Sequence, residues 1–149
     1  MGPGLEFVQG KIRVACPACN RVNAVPADRV QDGPVCGTCK AELQLNAPIE
    51  VDERSLQALL SGARLPVLVD FYGPHCGPCR MLAPIVARLA QRRAGEILVA
   101  KVDTSANPGI AGQLRIQGVP TVILFKAGSE VARQVGLVPE AVLDRLAST

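Results

Sequence analysis

The stretch from Val67 to Arg80 constrains this chain more than any other. Val67-Leu68-Val69-Asp70-Phe71-Tyr72 is long and apolar enough for one buried strand, and it stops at Gly73-Pro74. Cys76 and Cys79 follow, and Leu82, Ile85, Val86 and Leu89 then recur at helical spacing up to about Arg93. A strand, a break and a helix in succession place Cys76 at a helix N-terminus, where unpaired N–H groups and the helix dipole favour a thiolate. Cys79 lies one turn on, on the same side, within reach of a mixed disulfide formed at Cys76. That is the geometry of dithiol–disulfide exchange.

Around this stretch the chain alternates strands and helices. Ile49-Glu50-Val51 predicts a brief strand, and Asp52 caps a helix through Leu56, Leu59 and Leu60 that stops near Gly62. The buried strand spans Leu65 to Tyr72. The helix that follows contains Pro84, which lacks a backbone donor and predicts a kink. Ile97 to Val102 reads as a second buried strand, and Asn107 or Pro108 opens a short helix through Leu114. Val119 to Phe125 is a third strand, joined by a hairpin turn at Lys126 to Ser129 to an edge strand from Glu130 to Val135. Pro139 suits the first position of a last helix carrying Val142, Leu143 and Leu146. The order implies an α/β mixed sheet with helices on both faces.

Residues 11–45 read as a small domain of their own, with 46–149 as the larger one and Asn46-Ala47-Pro48 as the linker. Cys16-Pro17-Ala18-Cys19 and Cys36-Gly37-Thr38-Cys39 are separated by 16 residues. That spacing fits a four-cysteine zinc site in which two turn-borne pairs meet around one ion. Ile12 and Val14, and Leu43 and Leu45, are candidates for small strands beside each pair. So short a domain buries little surface, and a metal supplies the missing stability. Two disulfides or further redox pairs are the alternatives, but neither pair follows a buried strand or opens a helix. The zinc is expected to be structural, with all four ligand positions filled.

Composition narrows the function further. Of the 149 residues, 48% are hydrophobic, enough for a core, but only 3% are aromatic and none is Trp, so aliphatic side chains must fill it. A net charge of +3, without a basic face or aromatics between the ribbon cysteines, does not suggest nucleic acid. No segment approaches a membrane span, and residues 1–7 resemble a cloning scar rather than a secretory signal. The six cysteines, in three Cys-x-x-Cys pairs, point to metal and redox chemistry in the cytoplasm.

Cys76-Gly77-Pro78-Cys79 behind Val69-Asp70-Phe71 resembles the thioredoxin family over roughly the last hundred residues, from about Ile49 onward. The upstream cysteines narrow this to the zinc-containing, two-domain bacterial form, the thioredoxin 2 type. The resemblance implies a thioredoxin fold preceded by a small zinc-ribbon-like domain. It also implies reduction of protein disulfides, with Cys76 as nucleophile and Cys79 as the more buried resolving thiol. An NADPH-dependent thioredoxin reductase would supply electrons, and no organic cofactor would be bound. Gly77 is read as allowing the tight turn and Pro78 as fixing the helix start. Asp70, a carboxylate at the end of an apolar strand, should have a raised pKa and serve as proton carrier for Cys79, a role the family assigns to the matching Asp. Lys101 matches the family's neighbouring lysine. Val119-Pro120 resembles its cis-proline, whose preceding backbone pairs with an extended substrate, and Gly136 its substrate-facing glycine.

Three positions depart from the family. His75 and Tyr72 stand where Trp is usual, and Gly73 where Ala is usual. His75 is either a cation that stabilises the thiolate and makes the pair more oxidising, or a solvated imidazole without effect. A monomer is expected. The competing functions are a zinc-dependent, redox-regulated binding or holdase module and a more oxidising disulfide exchanger. The inner dipeptide Gly77-Pro78 favours the reductase.

Overall fold

The computed structural model describes residues 5–149. Eight strands form one sheet: β1 (Leu5–Val8), β2 (Lys11–Ala15), β3 (Val22–Pro26), β4 (Ile49–Glu50), β5 (Val67–Tyr72), β6 (Leu98–Asp103), β7 (Thr121–Lys126) and β8 (Ser129–Val135). Four helices accompany them: α1 (Glu53–Gly62), α2 (Gly77–Arg92), α3 (Pro108–Gln113) and α4 (Glu140–Ala147), and a short 3-10 helix spans Ala27–Asp32. The strand order across the sheet is β3-β2-β1-β4-β6-β5-β7-β8. β1, β4, β6 and β5 run parallel, and β2 and β7 run against their neighbours, so the sheet is mixed.

Alternation along β5 divides the core. Val67, Val69 and Phe71 point to one face, where Leu56 and Leu59 of α1 and Ile110 of α3 cover them. Leu68 points to the other, packed with Leu82, Val86 and Leu89 of α2 and Leu143 of α4. Asp52 starts α1 by accepting the Ser55 N–H at 2.7 Å. The β7–β8 turn has positive φ at Ala127 (51°) and Gly128 (81°), the twist a two-residue hairpin requires.

The amino-terminal segment is continuous with this sheet. β1 joins it by pairing Leu5 with Ile49 and Glu6 with Glu50. Ile12, Val14, Val25, Leu43 and Leu45 are buried in the same cluster as Phe71 and Leu56. A shared sheet and core therefore support this segment besides any metal. Of the cloning scar expected at residues 1–7, residues 1–4 lie outside the described residues, and Leu5, Glu6 and Phe7 belong to β1. The strand expected at Leu43 and Leu45 does not form. Strand-type pairing there is limited to a bridge between Val35 and Glu42, and both leucines are buried from an irregular segment. Pro139 stands just before α4, as its N-cap, rather than inside it.

Candidate active site and four-cysteine cluster

β5 delivers the chain to the break at Gly73-Pro74, and Cys76 is the N-cap of α2 with extended backbone (φ −118°, ψ 111°). Its sulfur accepts the Cys79 N–H at 3.2 Å, satisfying one of the orphan donors of the first helical turn. Cys76 and Cys79 form a disulfide, with Cys76 half-buried and Cys79 only 4% exposed. The helix start therefore leaves one sulfur accessible and covers the other. Pro78 sits in the first turn, where no N–H is missed. Gly77 needs neither a left-handed φ nor the space, since a Cβ there meets nothing within 4 Å. The turn lies at Pro74 and His75, ahead of the extended Cys76, and Gly77 is already the first residue of α2.

The Val119–Pro120 peptide is cis, and Cys76 Sγ lies 3.8 Å from the Val119 carbonyl oxygen. Gly136, at φ 92°, donates its N–H to the Pro120 carbonyl at 2.8 Å, bringing the end of β8 to the same place. Thr121 is buried and donates its hydroxyl to the Gly118 carbonyl at 2.6 Å. His75 is exposed immediately before Cys76. An alanine methyl at Gly73 would touch the Val119 side chain at 3.4 Å and Cys76 Cβ at 3.8 Å. The backbone here accommodates the residue the family usually carries.

Asp70 is 1% exposed, and neither carboxylate oxygen has a hydrogen-bond partner. Alternation puts it on the face covered by α2. Burial pushes its pKa up to about 6, partly opposed by the Lys101 charge and reinforced by that of Glu50. Asp70 and Lys101 are register partners on β5 and β6. The Lys101 ammonium stands 4.7 Å from the centre of the Tyr72 ring. The Tyr72 hydroxyl donates to Glu50 Oε1 at 2.6 Å, and burial with this contact raises its pKa. Glu50 is the residue sequence reasoning missed. Its place beside the others depends on the β4–β6 register, for which the chain carries no local signal.

The other four cysteines converge in two matching turns. Cys16 Sγ lies 3.5 Å from Cys39 Sγ, Cys19 Sγ lies 3.6 Å from Cys36 Sγ, and all four sulfurs fall within 4.8 Å of one another. Tetrahedral zinc with sulfur ligands needs separations of about 3.8 Å, so the set fits that ion. Backbone N–H groups of Cys39 and Thr38 lower the Cys36 thiol to about 6, which favours the thiolate a metal requires. The Cys16–Cys19 turn joins β2 to β3 and, through the strand register, lies level with the start of β5. Strand rise and spacing put it roughly 25 Å from Cys76, at the opposite end of the sheet.

Comparison with known proteins agrees with both halves. Residues 47–148 match the family described as Thioredoxin, and residues 15–41 match the one described as Thioredoxin 2, N-terminal. Thioredoxin C-3 of Corynebacterium nephridii is 36% identical over 83% of this chain and 84% of its own length. Thioredoxin 1 of a Nostoc species is 42% identical over 68% of this chain and 94% of its own. The structure of a singly substituted mutant thioredoxin from Halobacterium salinarum superposes with a TM-score of 0.64 at 38% identity, covering 69% of this chain and 90% of that one. With its fold, its dithiol and its ribbon thus matched, the chain belongs to the thioredoxin family and is of the zinc-containing thioredoxin 2 type.

Proposed function

We propose that this protein-disulfide reductase works through Cys76 and Cys79, with Asp70 carrying the proton and Lys101 beside it. The observation that carries the reading is the half-buried Cys76 sulfur at a helix N-terminus, facing the Val119 carbonyl of a cis-proline loop. In the reduced form the Cys76 thiolate attacks one sulfur of a target disulfide, and the other target sulfur leaves as a thiolate and takes up a proton. Cys79 then gives its proton to Asp70 and attacks Cys76 Sγ, expelling the second target sulfur. The product is the Cys76–Cys79 disulfide. Two electrons have passed to the target, and an NADPH-dependent thioredoxin reductase returns them with two protons.

The accessible sulfur is ringed by Val119, Pro120 and Gly136, with Gly77, Pro78 and His75 at the exposed rim. An extended target segment can pair with the Val119 backbone and bring its disulfide into line with Cys76. Cys16, Cys19, Cys36 and Cys39 would hold one zinc ion whose contribution is structural. The setting we infer is cytoplasmic redox homeostasis. No helix among the described residues is long and apolar enough to cross a membrane.

The test is insulin reduction with NADPH and thioredoxin reductase, with zinc quantified on the same samples. Wild type is expected to turn over with one zinc per chain. Cys76→Ser should fall by about a thousandfold or more with zinc unchanged. Turnover that survives Cys76→Ser sinks the reading.

A further inference from the structure

Asp70 is buried without a hydrogen bond, so beyond the effect of burial itself its proton responds to charges that reach it through the protein. Those charges form a row. Glu50 on β4 pairs in register with Lys101 on β6, which pairs with Asp70 on β5. One lysine thus stands between two carboxylates, across two strand spacings. Among the described residues it forms no ion pair with either. Its ammonium rests over the Tyr72 ring instead, and that ring is fixed by the hydroxyl's bond to Glu50.

We propose that Glu50 is a positioning residue for proton transfer at Asp70: it anchors Tyr72, whose ring holds Lys101, and adds the opposing charge that sets how Asp70 meets that lysine. This rests on the reading of Asp70 as proton carrier. The other groups around Asp70 are few. Along its own strand Tyr72 is the neighbour on the same face, and Asp103 of β6 is Tyr72's register partner. α2 brings Cys79, which does not titrate in the disulfide form, and the β7 partner is the apolar Val122. Within this set Glu50 is a negative group whose charge raises Asp70, and Asp103 acts on Glu50 and Tyr72.

The experiment is a carboxyl-carbon NMR titration of Asp70 in the disulfide form, beside the pH profile of insulin reduction, on the full chain. Two strand spacings, about 10 Å, predict that removing the Glu50 charge lowers the Asp70 midpoint by about one pH unit. Glu50→Gln, which can still accept from Tyr72, should show this fall, with the matching limb of the rate profile moving by the same amount. Tyr72→Phe keeps the ring but releases Glu50 to pair with Lys101, and should move both in the opposite direction. An unmoved midpoint in Glu50→Gln overturns the role of Glu50, and an unmoved one in Tyr72→Phe overturns its route through the ring. A midpoint that moves while the rate profile stays in place overturns Asp70 as proton carrier, and the proposal with it.

Discussion

Cys16, Cys36 and Cys76 each open a Cys-x-x-Cys pair, and up to a point the three turns are alike. Each first sulfur accepts backbone N–H groups from the turn it begins. In each, the N–H four residues on returns to the first cysteine's carbonyl: Asn20 to Cys16 at 2.9 Å, Lys40 to Cys36 at 3.0 Å and Arg80 to Cys76 at 3.2 Å. Divergence comes at that fourth residue. Asn20 (φ 67°) and Lys40 (φ 65°) are left-handed and turn the chain back, so that the N–H groups of Cys16 and Cys36 donate to the carbonyls of Arg21 and Ala41. Arg80 stays helical, within an α2 that is 16 residues long in all. The first outcome brings four sulfurs to a common point; the second leaves one sulfur accessible above a buried one. Spacing selects the turn, and the residue after it selects the chemistry.

The largest expected effect that would break this contrast is at the cluster. Cys36→Ser should abolish zinc retention and lower stability by several kcal/mol, seen as a melting point about 10 °C lower. At temperatures where the protein stays folded, insulin reduction should remain within about twofold, because the two sites are far apart. A collapse of activity in the folded variant would mean the two ends of the sheet are coupled.

A smaller effect is expected at Asp70, which has no counterpart beside the ribbon cysteines. Its folded pKa of about 6 exceeds the ordinary 3.8, so the folded state favours the protonated form. The stability this gives is complete below about pH 4 and is lost as pH rises through 6. Asp70→Asn should therefore be more stable than wild type at pH 8 by roughly 3 kcal/mol, with the difference shrinking on acidification. Denaturant melts at pH 4 and pH 8 would show it, and equal stability at both would remove the buried-charge account. Turnover should fall about a hundredfold in the same variant.

The smallest effects bear on the turn residues themselves. Lys40→Gly relieves a left-handed lysine and should stabilise by about 1 kcal/mol, whereas Asn20→Gly should change little, because Asn tolerates that conformation. Arg80→Gly, at the equivalent place in α2, should cost about 1 kcal/mol. The same substitution then has opposite signs in the two settings, and chemical denaturation of the three variants measures them directly.

The parts of the molecule legible in the sequence are those whose signals are local. The β5–turn–α2 unit, the Asp52 cap and the hairpin before Ser129 each follow from a few adjacent residues. The four ribbon cysteines are legible because metal ligands have characteristic spacing. β1 and β3 are not. Leu5–Val8 is four residues long and enters the larger sheet only by pairing with β4, and Val22–Pro26 ends in a proline, so neither is announced by its own residues. Glu50 is illegible for the same reason: nothing near it in the chain announces Lys101 or Tyr72. Burial is what made Asp70 readable, since a carboxylate closing an apolar strand is conspicuous wherever the sheet order puts it.

One feature of the sheet reaches beyond the chemistry. β4 is two residues long and has a neighbour on each side, β6 from the larger part and β1 from the smaller. Remove the first 45 residues and β4 becomes a bare border, with unpaired N–H and carbonyl groups open to any passing chain. The ribbon moves that border outward to β3, whose last residue is a proline that cannot donate. The amino-terminal segment thus serves as a selvage, covering the border that β4 would otherwise present and making β3 the outer strand on that side of the sheet.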